Sequence, residues 1–591
     1  MNSDFCVGPW LVQPGLNTVS HNGTSLRLEP KVMDVLVCLA QHAGQPIAKE
    51  DLLNKLWPGT FVSEDVLVRS ISELRRVFED DAKEPRFVQT IPKRGYRLVA
   101  PVIAVERNRE QRERSVAETG GHSPVREGPI DSIAIFPFIT SLPDPDLEYL
   151  SVGIPGSIVH SLSHVPRLRV IAWNSLANSR SGESDPLSIG RSVGAKVILV
   201  GRIWQRSSKL RLHVDLLDTT NGEALWGEQY DRDLAEIFVI HDNIAREVSA
   251  RLRVKLTGED AYRLTKRYTD NVEAYQLYVR ARRWCEKRSA EGFKRGAEYL
   301  TRAIELDPKF ALAHAELAQV ISVPCYYGAV DPNIAYPKAR ATALRALELD
   351  ADLPEAHEVL ATIFKNYDWN WDASEEEYKL SIALNPNYAV ARYHYSYLLA
   401  ELGRFEEAVY EATEAVSRDP MSPLLNAGLA YVLLYARRLD RAIEQAVTAL
   451  EVDANMVLSY WTLGVAYEQK GLFEQAIDAY QKAIDVGSAP AYPYAFLVHA
   501  YARSGQLDQA RACFAQLEEF SKTRYVPQLA FVTAYEGLGE MDLALDALEK
   551  SCCLRETNLI LIKVWHHFDS LRQYPRFQEV ERRVGLRKQA G

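Results

Sequence analysis

The sequence predicts a multidomain chain of three fold classes: an N-terminal α+β head, a central α/β sandwich and a C-terminal all-α repeat solenoid. Three observations predict it. Residues 103–129, "IAVERNREQRERSVAETGGHSPVREGP", carry dense charge, Gly and Ser and almost no large apolar side chains, which is the composition of a flexible linker. Residues 130–256 mix strand and helix signals. From 257 to 591 the chain turns helical and repeats itself at a period of 34. The expected division is therefore 1–102, 103–129, 130–256 and 257–591.

Bulk numbers limit the function. The chain has 591 residues, 47% of them apolar and 25% charged, so it can bury real cores. Its net charge is −10, so any nucleic-acid role must sit on a local patch. No uncharged apolar run of about 18 residues occurs, and no membrane span is expected. The start "MNSDFCVGPW" has no secretory pattern. Seven scattered cysteines, none in CxxC spacing, argue against a disulfide framework and for a reduced cytoplasmic location.

In the head, residues 5–28 hold short apolar pieces broken by Gly, Pro and Asn, which read as small antiparallel strands. A first helix fits Glu29–Gly44, with Val32, Val35, Leu36 and Leu39 at helical spacing and Gly44 as its C-terminal cap. A second fits Ala48–Gly59, with Leu52, Leu53 and Leu56 inward and Pro58 ending it. A third fits "SEDVLVRSISELRRVFED". Ser63 suits the N-cap, and Glu64 and Asp65 suit the helix dipole. Leu67, Ile71, Leu74 and Phe78 form its buried stripe. The opposite face carries Val68, Arg69, Ser72, Arg75 and Arg76. Two strand-like runs follow, "RFVQTI" and "YRLVAPV", joined by "PKRG". Three helices and a hairpin make a winged helix-turn-helix.

The hairpin "IPKRGYRL" is the informative stretch. Gly95 lets the backbone turn closely, and Tyr96 and Leu98 point to the core. Lys93, Arg94 and Arg97 supply cations for phosphates or a narrow, electronegative minor groove. The bland alternative is a hairpin whose charges keep an edge soluble. The helix directly upstream tips the balance to DNA. From Val66 to Val99 eight cations (Arg69, Arg75, Arg76, Lys83, Arg86, Lys93, Arg94, Arg97) face five acids (Glu73, Glu79, Asp80, Asp81, Glu84).

These motifs, in this order from Phe5 to Val102, resemble the OmpR/PhoB-type DNA-binding domain, especially its version in CadC- and ToxR-like regulators. The resemblance implies double-stranded DNA as partner, the third helix in the major groove and the wing in the minor groove. Members of that family often carry a basic residue where this helix has Glu73. The departure implies weaker phosphate contact, or a carboxylate accepting from a cytosine amino group. The head as a whole is neutral, so paired sites or a homo-oligomer are expected to supply affinity, with RNA polymerase a further candidate partner.

In the second block, "DSIAIFPF" reads as a buried strand. A helix and strand follow, then a helix, then three strands with a hairpin turn at Asn221–Gly222, and a closing helix. "LEYLSVGI", "VILVGRI" and "GEALWGEQYDRDLAEIFVIHDNIA" resemble the TolB N-terminal-like (FlgO-like) domain found in bacterial proteins between a regulatory domain and repeats. That likeness implies an interaction duty. The block has no phosphate loop and no GxSxG elbow, so Ser157, His160, His213 and His241 are read as structural.

In the third block, segments starting at Ala389, Pro423, Val457 and Ala491 share one plan. Leu463, Gly464 and Tyr467 sit on a first helix; Ala476, Tyr480 and Ala483 sit on a second. This is the tetratricopeptide signature, and about eight repeats run from Asn271 to Leu561. Such arrays usually hold a protein or peptide in a concave groove. His566–His567 lacks a visible third metal ligand in the sequence, and no cofactor or metal is expected.

The resulting reading is a cytoplasmic, one-component transcription regulator and not an enzyme. The alternatives are a scaffold with a repurposed winged helix and an enzyme with a regulatory head.

Overall fold

The computed structural model describes residues 5–14, 18–21, 24–56, 64–78, 80–81, 85–91, 94–104, 130–140, 145–165, 168–172, 185–206, 209–233, 236–252, 264, 266–487 and 491–586. The expected Pro58, Ser63, Lys93 and linker residues 105–129 lie outside these. The chain divides into two compact units, 1–127 and 128–591.

In the first unit, strands β1 (Phe5–Val7), β2 (Trp10–Gln13), β3 (Thr18–His21) and β4 (Thr24–Arg27) form an antiparallel meander. Helices α1 (Pro30–Gln41), α2 (Lys49–Leu56) and α3 (Glu64–Val77) follow. Then come the wing strands β5 (Val88–Ile91) and β6 (Gly95–Leu98), and β7 (Val102–Ala104), which pairs with β1. Composition placed Ile103 and Ala104 in the linker; the open edge of β1 recruits them into the sheet. Leu36, Leu52, Leu67, Ile71, Leu74, Phe78 and Leu98 share one core. Burial at the i, i+4, i+7 positions of α3 is what holds that helix in place.

The second unit begins with a six-stranded mixed sheet of β8 (Ser132–Ile135), β9 (Ile139–Thr140), β10 (Arg169–Ala172), β11 (Val197–Arg206), β12 (Lys209–Asp218) and β13 (Ala224–Asp233). The order is β10-β8-β11-β12-β13, with β9 beside β11. Period-two alternation splits its side chains between two cores. Ile133, Ile135, Val197 and Leu199 pack with α4 (Pro145–Ser163) and α6 (Ile237–Arg251). Ala134, Phe136 and Ile198 pack on the other face with α5 (Pro186–Ser192).

Eight helix pairs follow among the described residues, from Val272–Glu286 to Met541–Cys553. First helices begin at Ala389, Pro423, Val457 and Ala491, the starting points that the 34-residue period marks. Small residues permit the close approach. A Cβ on Gly464 would overlap the Tyr480 ring, and Ala476 and Ala483 are fully buried beside it. The sandwich and the first repeats share a single core, in which Ile154 and Ile158 join Tyr278 and Leu312. Polar bonds fasten them too. Asn387 Nδ2 donates to the carbonyls of Ser163 and Leu168, both at 2.9 Å, and Ser157 bonds the Tyr275 hydroxyl. No described helix is long and apolar enough to cross a membrane.

Candidate nucleic-acid interface

The outer face of α3 stays in water. Val68, Arg69, Ser72 and Arg76 are exposed, and Glu73 is half-buried. Among the described residues Arg69, Arg76 and Arg94 make no ion pair. Ser72 turns its hydroxyl back to the Val68 carbonyl at 2.9 Å, so its side chain is partly committed to the helix. Val66, 37% exposed, extends the apolar part of this face alongside Val68 at 44%. Sequence reasoning missed Val66. Its signal is the absence of any place for a second valine in the buried stripe of Leu67, Ile71 and Leu74.

Arg75 has a different task. Its guanidinium crosses to the wing, donating to the Val88 carbonyl at 2.9 Å and to Thr90 Oγ1 at 2.8 Å. It ties α3 to β5. Asp80 completes the joint, accepting from the backbone N–H groups of Arg86 at 2.6 Å and Val88 at 2.7 Å. The helix and hairpin are therefore locked together by Arg75 of the helix and Asp80 of the connecting turn.

On the wing, β5 and β6 pair with Gln89 opposite Arg97 and Ile91 opposite Gly95. Arg97 is half-buried and donates to Gln89 Oε1. Gly95 is buried and has φ +110°. A Cβ there would overlap the Ile47 carbonyl oxygen, because Ile47 and Tyr96 exchange backbone hydrogen bonds at 2.9 and 3.0 Å. Gly95 thus sits beneath the wing. Arg94 is exposed at the turn, its N–H bonded to the Ile91 carbonyl at 3.0 Å. The structure brings Arg69, Arg76 and Arg94 to solvent and commits Arg75, Arg97 and Gly95 to the framework. Lys93 lies outside the described residues.

The chain's own C-terminal segment bonds back to repeats two to four of the array. Asn333 Nδ2 donates to the Leu554 carbonyl at 2.8 Å, Asn558 Nδ2 to that of Tyr326 at 2.9 Å, and Lys563 Nζ to that of Leu402 at 2.9 Å. Trp371 Nε1 donates to Val584 at 2.8 Å, across 213 residues of sequence. Helical periodicity does not reveal such long-range closure. A cavity of about 260 Å³ lies between sandwich and array, lined by Arg282, Arg288, Glu316, Glu355, Tyr388 and His394.

Residues 23–98 match the family model described as "Transcriptional regulatory protein, C terminal", and residues 428–495 match "Tetratricopeptide repeat". A Rhizobium meliloti protein, provisionally named adenylate cyclase 3, is 33% identical over 233 residues, 39% of each chain. The transcriptional activator CadC of Escherichia coli is 45% identical over 98 residues, 16% of this chain and 19% of that one. Its solved DNA-binding domain is 41% identical, covers 17% of this chain and 96% of that domain, and gives a TM-score of 0.16. The transcriptional regulator HilA of Salmonella typhimurium is 24% identical over 412 residues, 68% of this chain and 69% of that one. The chain thus spans 39% and 19% of the length of the first two relatives.

Proposed function

We propose that the chain is a cytoplasmic DNA-binding transcriptional regulator with no catalytic step of its own. In this reading α3 enters the major groove through Val68, Arg69, Ser72, Glu73 and Arg76. The wing tip, with Lys93 and Arg94, reaches the neighbouring minor groove. Arg75, Gly95 and Arg97 hold helix and wing in register. Residues 105–129 join this head to the second unit, whose sandwich and array receive a protein or small-molecule signal. The observation that carries the reading is the pair of solvent-facing cations on α3, joined through Arg75 to a hairpin that bears another at its turn. Charge opposite a phosphate backbone, on a rigid helix-plus-wing frame, is what duplex recognition requires. The match of residues 23–98 to a regulatory family, and the names of CadC and HilA, support it.

A neutral head neutralises few phosphates by itself, so paired sites or self-association complete the affinity. The test is retention of genomic promoter fragments in a gel shift at low salt, followed by sequencing of the bound DNA. Enrichment of a repeated site by the native chain, lost in Arg69→Ala/Arg94→Ala, supports the reading. Equal retention by the native chain and the double variant rejects it in favour of a protein-interaction scaffold.

A further inference from the structure

His566 and His567 follow the last repeat, in a short 3-10 turn. Their ring centroids are 3.8 Å apart. All four ring nitrogens are buried; both of His566 and Nδ1 of His567 have no hydrogen-bond partner, and Nε2 of His567 has only a Glu468 oxygen at 3.5 Å. A buried polar atom without a partner is costly, so two adjacent imidazoles in this state need a physical reason.

Glu468, on the first helix of the sixth repeat (Val457–Gln469), faces them and is itself buried. One ligand atom from each of Glu468, His566 and His567 lies within 4.8 Å of the other two. His567 Nε2 is 3.5 Å from Glu468 Oε2. The carboxylate is oriented from behind. The Tyr480 hydroxyl donates to Oε2 at 2.8 Å, and His499 Nδ1 bonds Oε1. His499 Nε2 in turn meets Glu536 Oε2 at 2.6 Å. A ligand carboxylate steadied by outer hydrogen bonds is the usual surrounding of a protein-bound metal.

We propose that Glu468, His566 and His567 bind one divalent transition-metal ion, with zinc the best fit to two imidazoles and one carboxylate. Zinc takes such donors at about 2.0–2.2 Å in tetrahedral geometry, with a fourth position left for water. Magnesium and calcium prefer all-oxygen shells and are not expected here. The ion joins the segment after the last repeat to the sixth repeat. It thereby fastens that segment inside the array, and closure of the solenoid becomes metal-dependent. The inference is independent of the DNA reading.

The test uses the full chain, stripped with a chelator, desalted and titrated with zinc sulfate by calorimetry. Metal content is then measured by mass spectrometry after gel filtration. The expected result is one zinc per chain and no magnesium. Glu468→Gln and His567→Gln each weaken zinc by at least about tenfold. His213→Gln, at an exposed pair with Asp215 in the sandwich, leaves it unchanged. Cobalt(II) added to the native chain gives the intense visible bands of a four-coordinate site, and zinc abolishes them. Should the variants fail to fold, the cobalt spectrum of the native chain decides alone. Absence of those bands, substoichiometric zinc, or unchanged affinity in folded variants overturns the proposal.

Discussion

Arg75 and Arg76 are neighbours on α3, yet only one of them faces solvent. Arg75 spends its hydrogen bonds on Val88 and Thr90, whereas Arg76 is exposed. Arg76→Ala should lower the slope of log affinity against log salt by about 1, with thermal stability unchanged. Arg75→Ala should lower DNA affinity and also loosen the wing, visible as faster amide exchange at the Val88 and Arg97 N–H groups. Equal salt slopes in the native chain and Arg76→Ala would remove that residue from the interface. Gly95 gives the sharpest stability prediction. Its φ of +110° and its approach to Ile47 exclude a side chain. Gly95→Ala should destabilise the head by at least about 2 kcal/mol in urea unfolding of the full chain. The glycine itself is conspicuous in the sequence. The backbone it must accommodate, 48 residues upstream, is not.

At the scale of elements, α3 is the most legible part of the molecule. Its apolar spacing selects Leu67, Ile71, Leu74 and Phe78, and all four are buried. Leu74→Ala should cost about 2–5 kcal/mol through the cavity it leaves and should abolish DNA binding along with folding of the head. Circular dichroism with a gel shift checks both effects. The repeat helices are equally legible, since a recurring Ala, Gly and Tyr pattern is forced by helix–helix contact. The outer face of α3 was harder to read. Periodicity says which residues face away from the core but not which of them another element then captures. Arg75 is captured by the wing, and Arg69 and Arg76 are not.

At the scale of the molecule, the sandwich and array act as one unit with a shared core and a polar cavity. Burial pushes the Glu355 carboxyl in that cavity up to about 7, from an ordinary 4.5. His160 Nδ1 lies 3.6 Å away, and Arg282 and Glu316 line the same space. A carboxyl with a raised folded pKa stabilises the fold in its protonated form. Its contribution is complete below about pH 4.5 and is lost as pH rises through 7. Urea midpoints at pH 5 and pH 8 should therefore differ less in Glu355→Gln than in the native chain; an unchanged difference would refute this. The sequence by itself determined the local order of the chain: three helices and a wing, a mixed sheet, and a helical array of period 34. Those features follow from side-chain spacing along short stretches. Only the tertiary structure decided that Arg75 braces the wing, that the final segment bonds back to repeats two to four, and that Glu468 meets His566 and His567. Each of these depends on groups far apart in sequence being brought together by burial, which no local pattern encodes.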